Sequence, residues 1–153
     1  MCSPDDLRVI RRQHRVFYAL LLLAPTEWLW WGRPAGWLQL AGAVLFLAGV
    51  VGYRRAGGAL GEHLSPLLAP PEPAVLVEQG AYRRLRHPMY LAEVAVAFGA
   101  ALTLAASLAT ALAVVFTAVI VQRIGHEERA LAARLPGYAA YTTRTYRLIP
   151  YVY

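Results

Sequence analysis

From Pro88 to Val121 the chain runs for 34 residues with one charged side chain, Glu93. As a single helix that block would be about 51 Å long, whereas the hydrocarbon core of a bilayer is only about 30 Å thick. The block therefore predicts two helices, Pro88–Ala106 and Ser107–Val121, folded back on each other by a tight turn near Leu104–Ser107, although neither Gly nor Pro punctuates that turn. Two earlier apolar stretches, Val16–Trp31 and Ala35–Tyr53, complete a set of four. The first and last fall short of the roughly 20 residues a crossing needs. Local thinning of the bilayer, or arginine side chains reaching to the interface, accommodates that difference.

Charge orients these spans. All 15 basic residues are arginine. With four spans, fourteen of them lie on one side, in the segments Arg8–Arg15, Arg54–Arg86 and Arg123–Arg147, and Arg33 alone lies opposite. A bias of that size places both termini in the cytoplasm, and one long third helix would strand five arginines on the wrong side. The net charge of +6 thus reads as membrane topology, and no nucleic-acid partner is expected. Only 16% of residues are charged and 58% are hydrophobic, which excludes disorder and points to an integral membrane protein. Trp28, Trp30, Trp31 and Trp37 bracket the first turn, at the depth where an indole is half buried and its N–H stays wet. Cys2, the single cysteine, supports neither a disulfide framework nor a thiolate metal site. A cleavable leader would fit the basic start and Phe17–Ala24, but Pro25-Thr26-Glu27-Trp28 offers no small-residue cleavage site, so a retained helix is expected.

The expected fold is all-α. It is one integral membrane helix bundle of about four transmembrane helices, the last two a tight hairpin, with a cytoplasmic C-terminal helix and tail. Residues 1–53 form a two-helix part, 54–87 a cytoplasmic loop, and 88–153 the hairpin and tail. Within the loop, the prolines of Leu67–Pro73 impose extended backbone, and Ala74–Glu78 reads as a short strand-like run. Gln122–Leu135 reads as a helix continuing the last span until Pro136-Gly137 stops it.

Polar chemistry collects at the two ends of the apolar block, in Arg86-His87-Pro88-Met89-Tyr90 and in Glu127-Glu128. Charge held at the edge of a membrane segment marks a site more often than a solvated surface. Pro88 suits the first turn of a helix, which sets Arg86 and His87 at an electropositive helix start. Tyr90 and Glu93 share a face at i and i+3. Taken singly, Arg86 would be an interfacial anchor, Tyr90 an aromatic belt residue, and Glu127 a partner for Arg123 one turn back. Adjacent helical side chains diverge by about 100°, so the two glutamates are expected to do different jobs, one of them facing solvent. A hairpin returns Glu127 and Glu128 to the level of Arg86–Tyr90. The result is a cationic corner for a carboxylate and an anionic corner for an ammonium or sulfonium, beside apolar walls. Any zwitterion would satisfy that pattern.

The segment Gly80–Leu91 with its Arg-His-Pro-x-Tyr core, the Glu127-Glu128 pair, and the tail Leu131…Pro136-Gly137-Tyr138…Tyr141…Arg144-Thr145…Arg147…Ile149-Pro150 closely resemble the isoprenylcysteine carboxyl methyltransferase family. That wider group includes phospholipid N-methyltransferases. The resemblance covers Gly80 to Pro150, and the first half shows no comparable match. It implies a multi-helix membrane enzyme with a cytoplasmic S-adenosylmethionine pocket. By that carry-over, Tyr82, His87, Pro88, Tyr90, Glu127, Glu128 and Tyr141 are expected at the cofactor, and Arg86, Glu128 and Arg144 at the reaction. No metal is expected. The acceptor is expected to be a lipophilic small molecule or lipidated partner among membrane lipids, foremost a carboxylate. Amine, thiol or phenol acceptors are the alternative, with Glu128, Glu93 or His87 as candidate bases. A non-enzymatic membrane scaffold or partner-binding subunit is the alternative of another class.

Overall fold

A computed structural model describes residues 4–31, 36–63 and 75–152. Cys2, Arg33 and the Leu67–Pro73 stretch lie outside the described residues. Among the described residues, five helices form: α1 (Pro4–Trp31), α2 (Trp37–Leu60), α3 (Pro88–Thr103), α4 (Ser107–Arg134) and α5 (Tyr138–Thr142). Single 3-10 turns lie at Gly61–His63 and Gly80–Arg83. Among the described residues, two helical stretches, Trp37–His63 and Ser107–Arg134, are long and apolar enough to cross a membrane. The α3 helix is apolar but only 16 residues long, about 24 Å.

Helix ends differ from the sequence expectation where polar residues are good helix formers. The α1 helix already includes Pro4, well before the apolar stretch, and a proline with Asp5 behind it suits an early helical turn. The α2 helix runs through Arg54 and Arg55 to Leu60, so the first part of the expected loop is helix. It stops where Gly61 takes φ 53°. The expected strand-like run is not a strand: Val75–Glu78 has no ladder partner, and Leu76 packs instead on Leu135, Tyr138 and Tyr141.

The hairpin forms where expected. Leu104–Ala106 joins α3 to α4 without a glycine, because Ala105 itself adopts φ 50°. Ala106 N–H donates to Ala101 O at 2.9 Å and Ala105 N–H to Leu102 O at 3.0 Å, which is the paired closure of a Schellman motif. The first amides of α4 are then capped from another helix. Glu27 of α1 accepts hydrogen bonds from the Ser107, Leu108 and Ala109 amides and from the Ser107 hydroxyl. A carboxylate there also meets the positive end of the helix dipole.

The α1 helix runs antiparallel to α4, with Arg12 bonded to Gln122, Phe17 tilted against Phe116 and Glu27 at Ser107. The α2 helix packs intimately on α3. A Cβ on Gly99 would stand 2.4 Å from the Phe46 amide nitrogen, and one on Gly42 would stand 2.5 Å from that of Thr103. Such close backbone approach through small residues is how helices associate when lipid removes the hydrophobic drive. The core is a spine of Leu20, Ala97, Ala101, Ala109, Ala113, Phe116, Ile120 and Ile124. These pairings set the starts of α1 and α3 and the ends of α2 and α4 at one end of the bundle, with the polar motifs. Trp28, Trp30 and Trp37 stand exposed at the other.

Candidate active site

The tail builds the site by returning along the segment before α3. Arg86 N–H donates to Tyr146 O at 2.8 Å, His87 N–H to Arg147 O at 3.1 Å, and Tyr146 N–H to Arg84 O at 2.9 Å. Pro88 then occupies the first helical position, as its missing N–H allows. Tyr141, anchored on α5, donates its hydroxyl to the Tyr82 carbonyl at 2.7 Å. Burial and the Glu78 carboxylate push that phenol up to about 12, against the opposing pull of Arg86 and Arg144. It is therefore a neutral donor that ties tail to loop.

Glu128 is the electrostatic centre. Its Oε1 accepts from Arg86 Nε at 2.7 Å and its Oε2 from Arg147 Nε at 2.8 Å. His87 Nε2 lies 3.5 Å from Oε1. Arg86 donates further, through Nη1, to the carbonyls of Thr142 at 3.0 Å and Thr145 at 2.5 Å. With both side chains only 11% exposed, Arg86 and Glu128 form a clasp joining the α3 start, α4 and the tail.

Glu127 points to a different partner. Tyr90 donates its hydroxyl to Glu127 Oε2 at 2.5 Å. The Tyr90 ring lies nearly parallel to His87 at 5.5 Å between centroids, with the Arg123 guanidinium 5.3 Å from its own centroid, within reach of a cation–π attraction. Both glutamates thus engage the site, and neither is turned to solvent as the divergence argument expected. The 100° between them is used to reach two partner sets on the same side.

Of the expected residues, Arg86, His87, Pro88, Tyr90, Glu127 and Glu128 come together, and Tyr82 and Tyr141 brace them from below. Arg144 stands apart, pairing with Glu78 at 2.5 Å on the exposed surface. Sequence reasoning missed Arg147, Tyr138 and Gln13 as site residues. Arg147 and Tyr138 lay inside the tail pattern. Gln13, one polar residue in a polar run, carried no signal, yet it is buried and accepts a hydrogen bond from Arg123 while donating to Glu93 at 2.6 Å.

Among the described residues, the buried His87 Nε2 and Tyr138 hydroxyl, like Arg123 Nε, have no hydrogen-bond partner of good geometry. The Tyr138 phenol is pushed above the ordinary phenol range by burial and then by Glu128, so it remains a donor. Leaving such groups unsatisfied costs about 1–3 kcal/mol each. With the Glu128 and Glu127 carboxylates acting on Tyr138, these groups can meet a polar ligand.

Comparison with known proteins agrees with this architecture. The phospholipid methyltransferase family matches residues 37–135. A eukaryotic intramembrane Ras methyltransferase, an isoprenylcysteine carboxyl methyltransferase, superposes with a TM-score of 0.77 at 21% identity, over 93% of this chain and 53% of that one. The present chain thus spans about half the length of that structure, and the likeness is one of fold. No curated protein matches the sequence significantly.

Proposed function

This chain belongs to the phospholipid methyltransferase family, and from that premise we propose that it is an S-adenosylmethionine-dependent methyltransferase acting on a lipophilic acceptor. The observation that carries the reading is the convergence of Arg86, His87, Tyr90, Glu127 and Glu128 at one end of the bundle, with the two glutamates engaged by different partners. The cofactor, when bound, supplies an electrophilic methyl group. His87, Tyr138, Tyr90 and Glu127 would hold it. Arg86, Glu128 and Arg147 keep the α3 start and the tail in register around it, so that positioning and exclusion of water supply most of the rate.

One domain performs both tasks in this reading. The hairpin and tail, residues 88–153, make the cofactor pocket, and residues 1–53 make the acceptor side. Positive-inside bias puts this end of the bundle, and both termini, in the cytoplasm, with a multi-pass chain between. A carboxylate acceptor is supported by the fold shared with an isoprenylcysteine carboxyl methyltransferase, and it would need no base. An amine acceptor is favoured by one observation, the Glu93 carboxylate lining a cavity between α1 and α2.

Calorimetric titration of the detergent-solubilised protein with S-adenosylhomocysteine tests the reading. Binding is expected, and it should be lost in His87→Ala. A folded protein that takes up no S-adenosylhomocysteine would sink it. A radiolabelled-methyl survey of alkyl carboxylates, amines, thiols and phenols then identifies the acceptor.

A further inference from the structure

On α1 the buried side chains Ile10, Gln13, Leu20 and Ala24 recur at helical spacing and form one stripe, as a helix packed on a neighbour requires. Gln13 is the polar member of that stripe, and only 3% of it is exposed. An amide at such a position costs free energy unless its polar atoms are hydrogen-bonded. Both ends of this one are bonded, and to different helices. Gln13 Nε2 donates to Glu93 Oε2 of α3 at 2.6 Å, and Gln13 Oε1 accepts from Arg123 Nη1 of α4. One side chain thus joins three helices.

What Gln13 holds is a buried cation. Arg123 is 5% exposed, and its guanidinium lies 5.3 Å from the centroid of the Tyr90 ring. Tyr90 stacks on His87 and donates its hydroxyl to Glu127, which stands one turn beyond Arg123 on α4. The contacts therefore run without a break from Gln13 through Arg123 and Tyr90 to His87 and Glu127. A guanidinium is planar, with its donors in fixed directions, so anchoring one Nη fixes the plane it presents to the ring. The neighbouring α1–α4 bond, from Arg12 to Gln122 at 3.2 Å, is exposed and lies outside this chain of contacts.

Resting on the methyltransferase reading for the identity of the ligand, we infer that Gln13 is a positioning residue of the cofactor site. It sets the Arg123 guanidinium against Tyr90, and so holds Tyr90, His87 and Glu127 in the arrangement that takes S-adenosylmethionine. Gln13 acts through Arg123 and need not touch the ligand. The site thereby extends to the first helix, which lies outside the Gly80–Pro150 motif region and outside the family match at residues 37–135. Residues 1–53 then serve the cofactor side as well as the acceptor side.

Calorimetric titration of the full chain in detergent with S-adenosylhomocysteine, alongside thermal unfolding of the same samples, tests this. Gln13→Met keeps length and bulk but loses the amide. It should weaken binding about tenfold or more, as loss of a hydrogen bond to a charged group does. Should it fail to fold, Gln13→Asn, whose amide is one methylene too short to reach both partners, carries the same expectation. Leu20→Val loosens the same stripe two turns deeper, and should lower Tm while leaving the affinity within about twofold. A double-mutant cycle supplies a readout that a purely structural role would not move. In Tyr90→Phe the hydroxyl that reaches Glu127 is gone, so adding Gln13→Met should cost about a further twofold at most. Suppose the wild-type protein binds S-adenosylhomocysteine. Unchanged affinity in Gln13→Met, full additivity with Tyr90→Phe, an affinity loss matched by Leu20→Val, or failure of both Gln13 variants to fold then overturns the inference and leaves the methyltransferase reading standing. A folded wild-type protein that binds none overturns both.

Discussion

Removing the Glu128 carboxylate separates a structural clasp from a ligand contact, because the two roles give different stability readouts. Glu128 accepts from Arg86 at 2.7 Å and from Arg147 at 2.8 Å. In Glu128→Ala, Arg86, whose side chain is 11% exposed, is left without its carboxylate partner. Breaking a buried pair in this way costs about 3–5 kcal/mol. Two observations place the expected loss at the lower end. Arg86 keeps the Thr142 and Thr145 carbonyls, and Arg147, 39% exposed, can regain water. For a chain of this size about 3 kcal/mol corresponds to a fall in Tm of roughly 6–12 °C. Fluorescence-detected thermal unfolding in detergent measures it, with Glu128→Gln falling between wild type and Glu128→Ala. Glu127→Gln should leave Tm nearly unchanged, since Tyr90 can still donate to the amide oxygen, while weakening S-adenosylhomocysteine binding. If Glu128→Ala keeps its Tm within about 2 °C yet loses binding, the clasp reasoning fails and Glu128 is a ligand group.

Two further outcomes test how the bundle is held. In Glu27→Ala the Ser107, Leu108 and Ala109 amides lose their acceptor, which should destabilise the hairpin by about 0.5–2 kcal/mol; hydrogen exchange at those amides should speed up, and unchanged exchange would show that the cap is ornamental. Gly99→Ala, whose Cβ would meet the Phe46 backbone at 2.4 Å, should lower stability by about 1–3 kcal/mol through overpacking. Gly57→Ala, with Met89 Cε at 3.8 Å as its nearest neighbour, should be neutral or stabilising by up to about 1 kcal/mol, and equal Tm shifts in the two variants would refute the close packing of α2 on α3.

The candidate site was legible wherever chemistry and spacing coincide in a short stretch. Arg86–Tyr90 and Glu127-Glu128 stand out because polar groups interrupt or bound an apolar block, and Pro88 announces a helix start. The hairpin was legible from length alone. Arg144 carried no cue to its partner, since a tail arginine looks the same in sequence whether it faces the site or pairs, as here, with Glu78 at the surface. Gln13 was invisible. Its role depends on α1 lying across α4 and α3, 110 residues from Arg123 and 80 from Glu93, and no local pattern encodes that approach.

The sequence by itself determined the apolar block that must fold back, the one-sided arginines, and the identity of the groups gathered at one end. Those follow from helix rise, bilayer thickness and the cost of charge in lipid, which are properties of segments. Only the tertiary structure decided which glutamate meets which partner, that the tail carbonyls and Arg147 complete the Arg86–Glu128 clasp, and that α1 and α2 part to leave a cavity with Glu93 inside it. Those depend on helix rotation and pairing. Small residues such as Gly42 and Gly99 help settle them by letting the α2 and α3 backbones approach closely.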